Sequence, residues 1–222
     1  MELRSNQEIF EEIMSNPSAM IIVEQARRTL DVERQRRERF YNEITEYEKA
    51  EFINGEVVIH SPVKKEHNDA SGNLFALIHA HVRKHHLGYV GYEKIMVTLS
   101  RNDYEPDICF FGQEKARHFT VGQSLFPAPD LVVEVLSPKT SANDRGVKFE
   151  DYRAHGVQEY WIVDPVARTV EQYRLDAAQQ YQLILKSGNG QISSEVIPGF
   201  YIRIEAVFDA GVNLEELGRL IG

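Results

Sequence analysis

The spacing of apolar residues along this chain changes character near residue 50. Before that point apolar positions are sparse and charges dense. Ser15-Asn16-Pro17 marks a helix start, because proline is tolerated in the first helical turn. Residues 31–40 continue helically with charges of both signs, and Glu33 and Arg37, four apart, predict an intrahelical ion pair on a solvated face. From Glu51 onward, short runs of strong β formers alternate with turn residues. Asn54-Gly55 predicts a β-hairpin between residues 50–53 and 56–60. A polar loop over residues 61–66 leads into a long helix whose Leu74, Leu77, Ile78 and Val82 share one buried face, with Gly88 as its stop.

The remaining pattern predicts strands near residues 89–99, 104–111 and 129–136, with a loop over residues 113–127 before the last of these. Ser141 to Asp144 supply cap chemistry for a helix reaching His155, and Gly156 punctuates its end. A strand at residues 159–163 turns at Asp164-Pro165 and returns antiparallel over residues 169–174. Strands near residues 181–186 and 200–206 precede a short terminal helix from about Asn213. This is a mixed α/β (α+β) arrangement of hairpins with few crossover helices, unlike the regular alternation of a doubly wound sheet. A helical extension, residues 1–45, precedes one domain, residues 46–222. No glycine-rich phosphate loop follows a strand, which argues against nucleotide binding of that type.

Composition narrows the function. The 222 residues suffice for one domain with a sizeable core. A net charge of −9 argues against a protein that grips nucleic acid by bulk electrostatics. It leaves a nuclease open, since an acidic metal site counts against net charge and a local basic face can steer substrate. The single cysteine, Cys109, excludes an internal disulfide and a thiolate zinc cluster, and its apolar strand context reads as an inert buried thiol. No apolar run approaches the roughly 20 residues of a membrane span, and the first residues lack a signal-peptide pattern. The expectation is a cytoplasmic protein without a membrane partner.

Two runs carry the chemistry. Tyr104-Glu105-Pro106-Asp107-Ile108-Cys109-Phe110-Phe111 and Pro129-Asp130-Leu131-Val132-Val133-Glu134-Val135-Leu136-Ser137-Pro138 both read as buried strands, yet each holds a carboxylate, Asp107 and Glu134. An ionised carboxylate buried on a strand costs several kcal/mol unless a cation or donors compensate it. Side by side, the two strands would bring both acids to one hard divalent cation, the minimal unit for metal-assisted phosphodiester hydrolysis. Lys148, 14 residues beyond Glu134, would approach the same point if its helix folds back over the strand end. Asp130 shares the pleat parity of Glu134 and is a supporting candidate.

These runs, with Asp144-Arg145-Gly146-Val147-Lys148 and Gly156-Val157-Gln158-Glu159-Tyr160-Trp161-Ile162-Val163-Asp164, resemble the Uma-type family of bacterial nucleases in the PD-(D/E)XK superfamily. The likeness extends upstream to Asn54-Gly55-Glu56-Val57-Val58 and Ser61-Pro62, and downstream to Ile197-Pro198-Gly199-Phe200, over roughly residues 40 to 208. It implies a restriction-endonuclease-like core flanked by helices. Asp107 and Glu134 would be ligands to Mg²⁺ or Mn²⁺, joined by the backbone carbonyl of Val135. It also places Glu56 and His67 beside the cleft, as accessory contacts to metal or water. The superfamily expects lysine two positions after Glu134, where this chain has Leu136; Lys148 is the replacement read from the neighbouring helix.

The implied activity is that of a Mg²⁺-dependent endodeoxyribonuclease acting on DNA rather than RNA, with a homodimer fitting duplex cleavage. Two alternatives stand beside it. One is a nucleic-acid-binding or interaction module that keeps the nuclease fold without turnover, favoured by Leu136 and the acidic balance. The other is a structural assembly protein built on the amino-terminal helices, which leaves the paired strand acids unexplained. His79, His81, His85 and His86 lack the glutamate of a zinc-protease helix and read as a polar helix end. Tyr160 and Trp161 lie in an apolar run and read as core.

Overall fold

A computed structural model of the chain describes residues 6–45 and 47–222. Helices α1 (Asn6–Ser15) and α2 (Ala19–Glu43) precede the hairpin β1 (Ala50–Ile53) and β2 (Glu56–Ile59). Helix α3 (Lys65–Lys84) leads to β3 (Gly88–Tyr92), β4 (Met96–Thr98), β5 (Asp103–Tyr104), β6 (Ile108–Gly112), α4 (Gln113–Ala116), β7 (Leu125–Phe126) and β8 (Leu131–Val135). Helices α5 (Ser141–Asp144) and α6 (Val147–Ala154) follow, then β9 (Glu159–Asp164), β10 (Thr169–Leu175), β11 (Tyr181–Ser187), β12 (Gln191–Ser193), β13 (Tyr201–Arg203) and α7 (Ala210–Ile221).

The central sheet has six strands in the order β11-β10-β9-β8-β6-β3, antiparallel except for the parallel pair β8·β9. A second sheet of five strands, β2-β1-β5-β4-β7, and the small pair β12·β13 complete the β structure. Pleat parity sorts β8 onto two faces. Leu131, Val133 and Val135 join Leu74, Leu77, Ile78 and Val82 of α3 in one core. Val132 joins Cys109, Phe111, Tyr152, Tyr160 and Ile162 in the other. Each fully buried aliphatic or aromatic side chain among them contributes about 1.5–3 kcal/mol relative to exposure, before the entropy of ordering it.

This pairing sets the acids. In the β6·β8 ladder Ile108 stands opposite Val133 and Cys109 opposite Val132. One step further along the antiparallel register, Asp107 faces Glu134, both on the side covered by α6. Both lie at the end of the ladder, where Pro106 supplies no amide hydrogen to continue it.

Several predicted elements break where the backbone demands it. The strand at residues 89–99 is two strands, β3 and β4, in different sheets, because the chain turns at Glu93 with φ 57°. The strand at residues 104–111 divides at Glu105-Pro106 into β5 and β6. The helix at residues 141–155 is interrupted at Gly146 (φ −119°, ψ −103°), where a Cβ would lie 2.7 Å from the Ala142 carbonyl oxygen. The last predicted strand, residues 200–206, passes into a 3₁₀ turn after Arg203. The terminal helix starts earlier than Asn213, at Ala210, capped by Asp209, whose side chain accepts from the amides of Gly211 and Val212.

The expected Glu33–Arg37 pair gives way to long-range partners. Glu33 binds Arg101 at 2.7 Å, and Arg37 grips both oxygens of Asp103 at 2.6 Å while donating to the carbonyls of Leu99, Ser100 and Asn102. That face of α2 is therefore docked on the β4–β5 turn rather than solvated.

Candidate active site

A pocket of about 540 Å³ opens where the ends of β6 and β8 meet β1, α3 and α5–α6, and its floor holds Asp107, Glu134, Asp144 and Lys148. Asp107 is 3% exposed and Glu134 3%, so neither charge is dispersed by bulk water. Each has its own lysine. Lys49, immediately before β1, donates to Asp107 Oδ1 at 2.7 Å and pairs with Glu93 at 3.4 Å. Lys148, on α6, lies 2.8 Å from Glu51 Oε1, 3.2 Å from Glu134 Oε1 and 3.3 Å from Asp144 Oδ1. The remaining donors come from three directions. The Val135 amide donates to Asp107 Oδ2 at 2.8 Å, with His67 Nε2 3.3 Å from the same oxygen. Tyr152 donates to Glu134 at 3.3 Å, and His60 Nε2 lies 3.0 Å from Glu51 Oε2.

The local sequence explains the placement. Val147-Lys148-Phe149 begins α6; Val147 and Phe149 lean on the apolar cluster that holds Tyr152, and Lys148 between them points at the floor. Its ammonium lies over the face of Tyr104, with Nζ 5.7 Å from the ring centroid. Leu136, on the same pleat side as Glu134, packs into that cluster and donates its amide to the Val163 carbonyl, so the ammonium reaching Glu134 comes from the helix instead.

The four carboxylates divide into two classes. Burial pushes Asp107 upward, but the hydrogen bond and charge of His67 and the charge of Lys49 outweigh it and hold the group well below the usual carboxylate range. Burial also opposes Glu51, which Lys148 and His60 bring down to about 2. Burial pushes Glu134 well above its ordinary value, with the charges of Asp144, Asp107 and Glu51 adding to it against Lys148. Asp144 is raised for the same reasons. Both lysines are held above their usual range: although burial opposes the charge, Glu134, Glu51 and Asp144 outweigh it at Lys148, and Asp107 and Glu93 at Lys49. Behind the floor, Glu105 is pushed up to about 7 by burial while its carboxylate accepts the Ala50 amide.

Four buried acids face two ammonium groups and the imidazoles of His67 and His60. The deficit of positive charge falls on Glu134 and Asp144, whose protonated forms burial and the neighbouring acids favour. Among the described residues, His67 Nδ1 is buried without a hydrogen-bond partner, and Asp144 Oδ1 has only its ion-pair contact with Lys148. An all-oxygen donor pair in an under-neutralised pocket is chemistry that fits a hard divalent cation. Among the described residues, no three His, Cys, Asp or Glu side chains form a ready ligand cluster. A cation would therefore draw on Asp107 and Glu134, with backbone or water oxygens completing its shell.

Of the residues singled out from sequence, Asp107, Glu134, Val135, His67 and Lys148 come together here. Glu56 does not: it lies on the edge strand β2, exposed, and pairs with Arg36 of α2 at 3.2 Å. Asp130 has the correct parity but sits four residues back along β8, about 13 Å at strand rise. There it accepts the Gly112 amide at 2.7 Å and pairs with Lys115 at 2.6 Å. Tyr160 and Trp161 are fully buried, Tyr160 donating to the Asp144 carbonyl and Trp161 to Glu159. His81 bonds the Pro198 carbonyl, edge-on to Phe200. Lys49, Glu51 and His60 have no assigned role in the sequence pattern, and Asp144 stands there as a helix cap and as the first residue of a family-like run, without a place at the site. The available signal was Glu51, a third acid inside a strand buried at all four positions.

Known proteins resemble this chain in sequence and in fold. Residues 23–205 match the family model described as Uma2, putative restriction endonuclease. Two uncharacterized proteins of Synechocystis sp. are similar in sequence. One, sll1609, is 28% identical over 61% of this chain and 77% of its own length. The other, slr1290, is 31% identical over 57% and 66%. A crystal structure from Anabaena variabilis, described as a putative nuclease belonging to DUF820, superposes with a TM-score of 0.62 at 20% identity, over 76% of this chain and 90% of its own. That likeness extends the shared fold, a mixed sheet with flanking helices, to a solved structure. With the match spanning most of the chain, the protein belongs to the Uma2 family of putative restriction endonucleases.

Proposed function

We propose that the chain is an endonuclease that hydrolyses phosphodiester bonds of DNA at this pocket, with Mg²⁺ or Mn²⁺ held by Asp107, Glu134 and the Val135 carbonyl. The observation that carries this reading is the floor itself, where two opposed strand-end acids lie buried together and Glu134, with Asp144 beside it, is under-compensated by the neighbouring cations. A bound cation would supply Lewis acidity, making water more acidic and neutralising the scissile phosphate. The protein's own groups do the rest. Val135 and Lys49 fix the Asp107 carboxylate from two sides. Lys148 and Tyr152 do the same for Glu134. Lys148, anchored to three carboxylates, would supply a fixed positive charge beside the scissile phosphate as its oxygens gather charge in the transition state.

Leu136 at the position where the superfamily expects lysine favours a second reading, a nucleic-acid-binding module without turnover. One set of measurements separates the two. Mg²⁺ and Mn²⁺ are titrated calorimetrically into wild type, Asp107→Asn and Glu134→Gln, and cleavage of plasmid and linear DNA is followed in the same buffers. Saturable binding lost in both variants, with cleavage falling at least about 100-fold, is the expected result. Ion binding unchanged in both variants overturns the site. DNA binding without cleavage in any divalent ion selects the module.

A further inference from the structure

The lysines of this pocket differ by depth: Lys49 and Lys148 are committed to the floor acids, while two others stand at the mouth. The pocket's carboxylates, Asp107, Glu134 and Asp144, are at the floor and buried, whereas the exposed lysines Lys64 and Lys139 line the rim. The rim is made by two loops, one joining β2 to α3 and one joining β8 to α5. Lys139 of the second loop donates to Ser61 Oγ of the first at 2.8 Å, so the loops are bridged across the mouth. Between these polar groups the lip is aliphatic, with Ile59 60% and Val63 46% exposed beside Pro62 and Pro138.

We propose that this rim selects an unpaired nucleic-acid strand, with Lys139 leaving Ser61 to bind a phosphate next to the scissile one and Lys64 binding a second. The proposal rests on the nuclease reading of the same pocket and names its substrate class. A duplex is a stiff rod whose groove alone is about 12 Å wide. Even with the Lys139–Ser61 bridge open, the two loops flank acids only 3% exposed, and a stiff duplex brings a phosphate to such a mouth less readily than a single strand. A single strand can thread such a mouth. The cavity, about 540 Å³, is of the size that encloses a small ligand or a short run of nucleotides. A strand crossing the rim meets cations where its phosphates pass and an apolar lip against which a base face packs. Lys139 is suited to the exchange, because its present partner is a neutral hydroxyl and a phosphate is the stronger acceptor. With a net charge of −9, the protein repels nucleic acid at long range, which gives two rim lysines disproportionate weight in capture.

The test uses one labelled DNA sequence as a single strand, as a blunt duplex, and as a duplex with a central unpaired stretch. Affinities for the full-length protein are read by fluorescence anisotropy in Ca²⁺ over a series of salt concentrations. Cleavage of all three is then followed in Mg²⁺ and Mn²⁺. The single strand and the interrupted duplex should bind at least tenfold more tightly than the blunt duplex. Lys139→Ala should weaken single-strand binding several-fold and lower its salt slope by about 0.7, the value of one phosphate contact on a single strand. Lys139→Arg should restore both, and thermal melting should be unchanged because Lys139 is exposed. Equal or tighter binding of the blunt duplex, no binding of any DNA, or an unchanged salt slope in Lys139→Ala each overturns the proposal. Single-strand preference without cleavage would overturn the nuclease reading and leave the rim assignment standing. Efficient cleavage of blunt duplex would do the reverse.

Discussion

Replacing Lys148 with methionine removes one of the two ammonium groups of the floor while conserving the apolar stem. Lys148 is 2% exposed and lies within 2.8–3.3 Å of Glu51, Glu134 and Asp144. Breaking a buried ion pair by deleting one partner costs about 3–5 kcal/mol, because the opposite charge is left uncompensated. Two groups soften the loss. Glu134 and Asp144 are already raised toward their protonated forms, so the variant sheds charge by taking up protons. The expected loss at neutral pH is therefore near the lower end, about 3 kcal/mol, a large share of the ~5–15 kcal/mol that holds a domain folded. In a chain of this size that corresponds to a fall in Tm of about 6–12 °C. The sign with pH follows from linkage. Without Lys148 the folded acids bind protons more tightly than the unfolded ones do. Stability of the variant falls as pH rises above the ordinary carboxylate range, and the gap to wild type widens. Urea unfolding of both proteins from pH 5 to 8 measures it. Glu134→Gln in the Lys148→Met background should recover part of the loss, and the double-mutant cycle gives the coupling. A loss below about 1 kcal/mol at neutral pH, or a gap that does not change with pH, would refute the electrostatic account of this floor.

Two further outcomes are expected. Glu105 has its folded pKa raised from 4.5 to about 7. Its contribution is complete below pH 4.5 and is lost as pH rises through 7, a change on the order of 3 kcal/mol. Glu105→Gln, which keeps an acceptor for the Ala50 amide, should flatten the stability profile across that interval, as measured by chemical denaturation at several pH values. Arg37→Ala strands the fully buried Asp103 and frees three carbonyls, and should cost about 3 kcal/mol and expose α2 to limited proteolysis. Unaltered proteolysis would place the attachment of that helix elsewhere.

What the sequence made legible, and what it hid, follows from the range of the interactions. Asp107 and Glu134 were visible because a carboxylate inside an apolar strand run is conspicuous on its own strand. Their opposition then follows from simple antiparallel register. Lys148 was within reach because one short connection separates it from Glu134. Lys49 and Glu51 were not, since Lys49 meets Asp107 58 residues away and Glu51 meets Lys148 on a helix still further along the chain. No local pattern distinguishes such a lysine from a solvated one. Arg37 misled for the same reason: a helical partner four residues away looks sufficient until a buried aspartate in a distant turn competes for it. Glu56 and Asp130 had plausible proximity or parity, but the edge position of one and the strand length behind the other carried them away from the floor. The interrupted elements at Glu93, Pro106 and Gly146 reflect backbone turns that periodicity alone does not encode.

The two lysines of the floor have one further consequence. Lys49, at the start of β1, binds the acid that precedes β6, and Lys148 ties Glu51 of β1 to Glu134 of β8. The five-stranded and six-stranded sheets are thus stitched together by ammonium–carboxylate bridges at the point where chemistry would occur. Prising the sheets apart to widen the pocket would part Lys49 from Asp107 and Lys148 from Glu51 or Glu134, leaving buried acids without their ammonium partners. The sheets must therefore behave as one rigid anvil, and any accommodation of a bulkier cargo falls to the two loops above it.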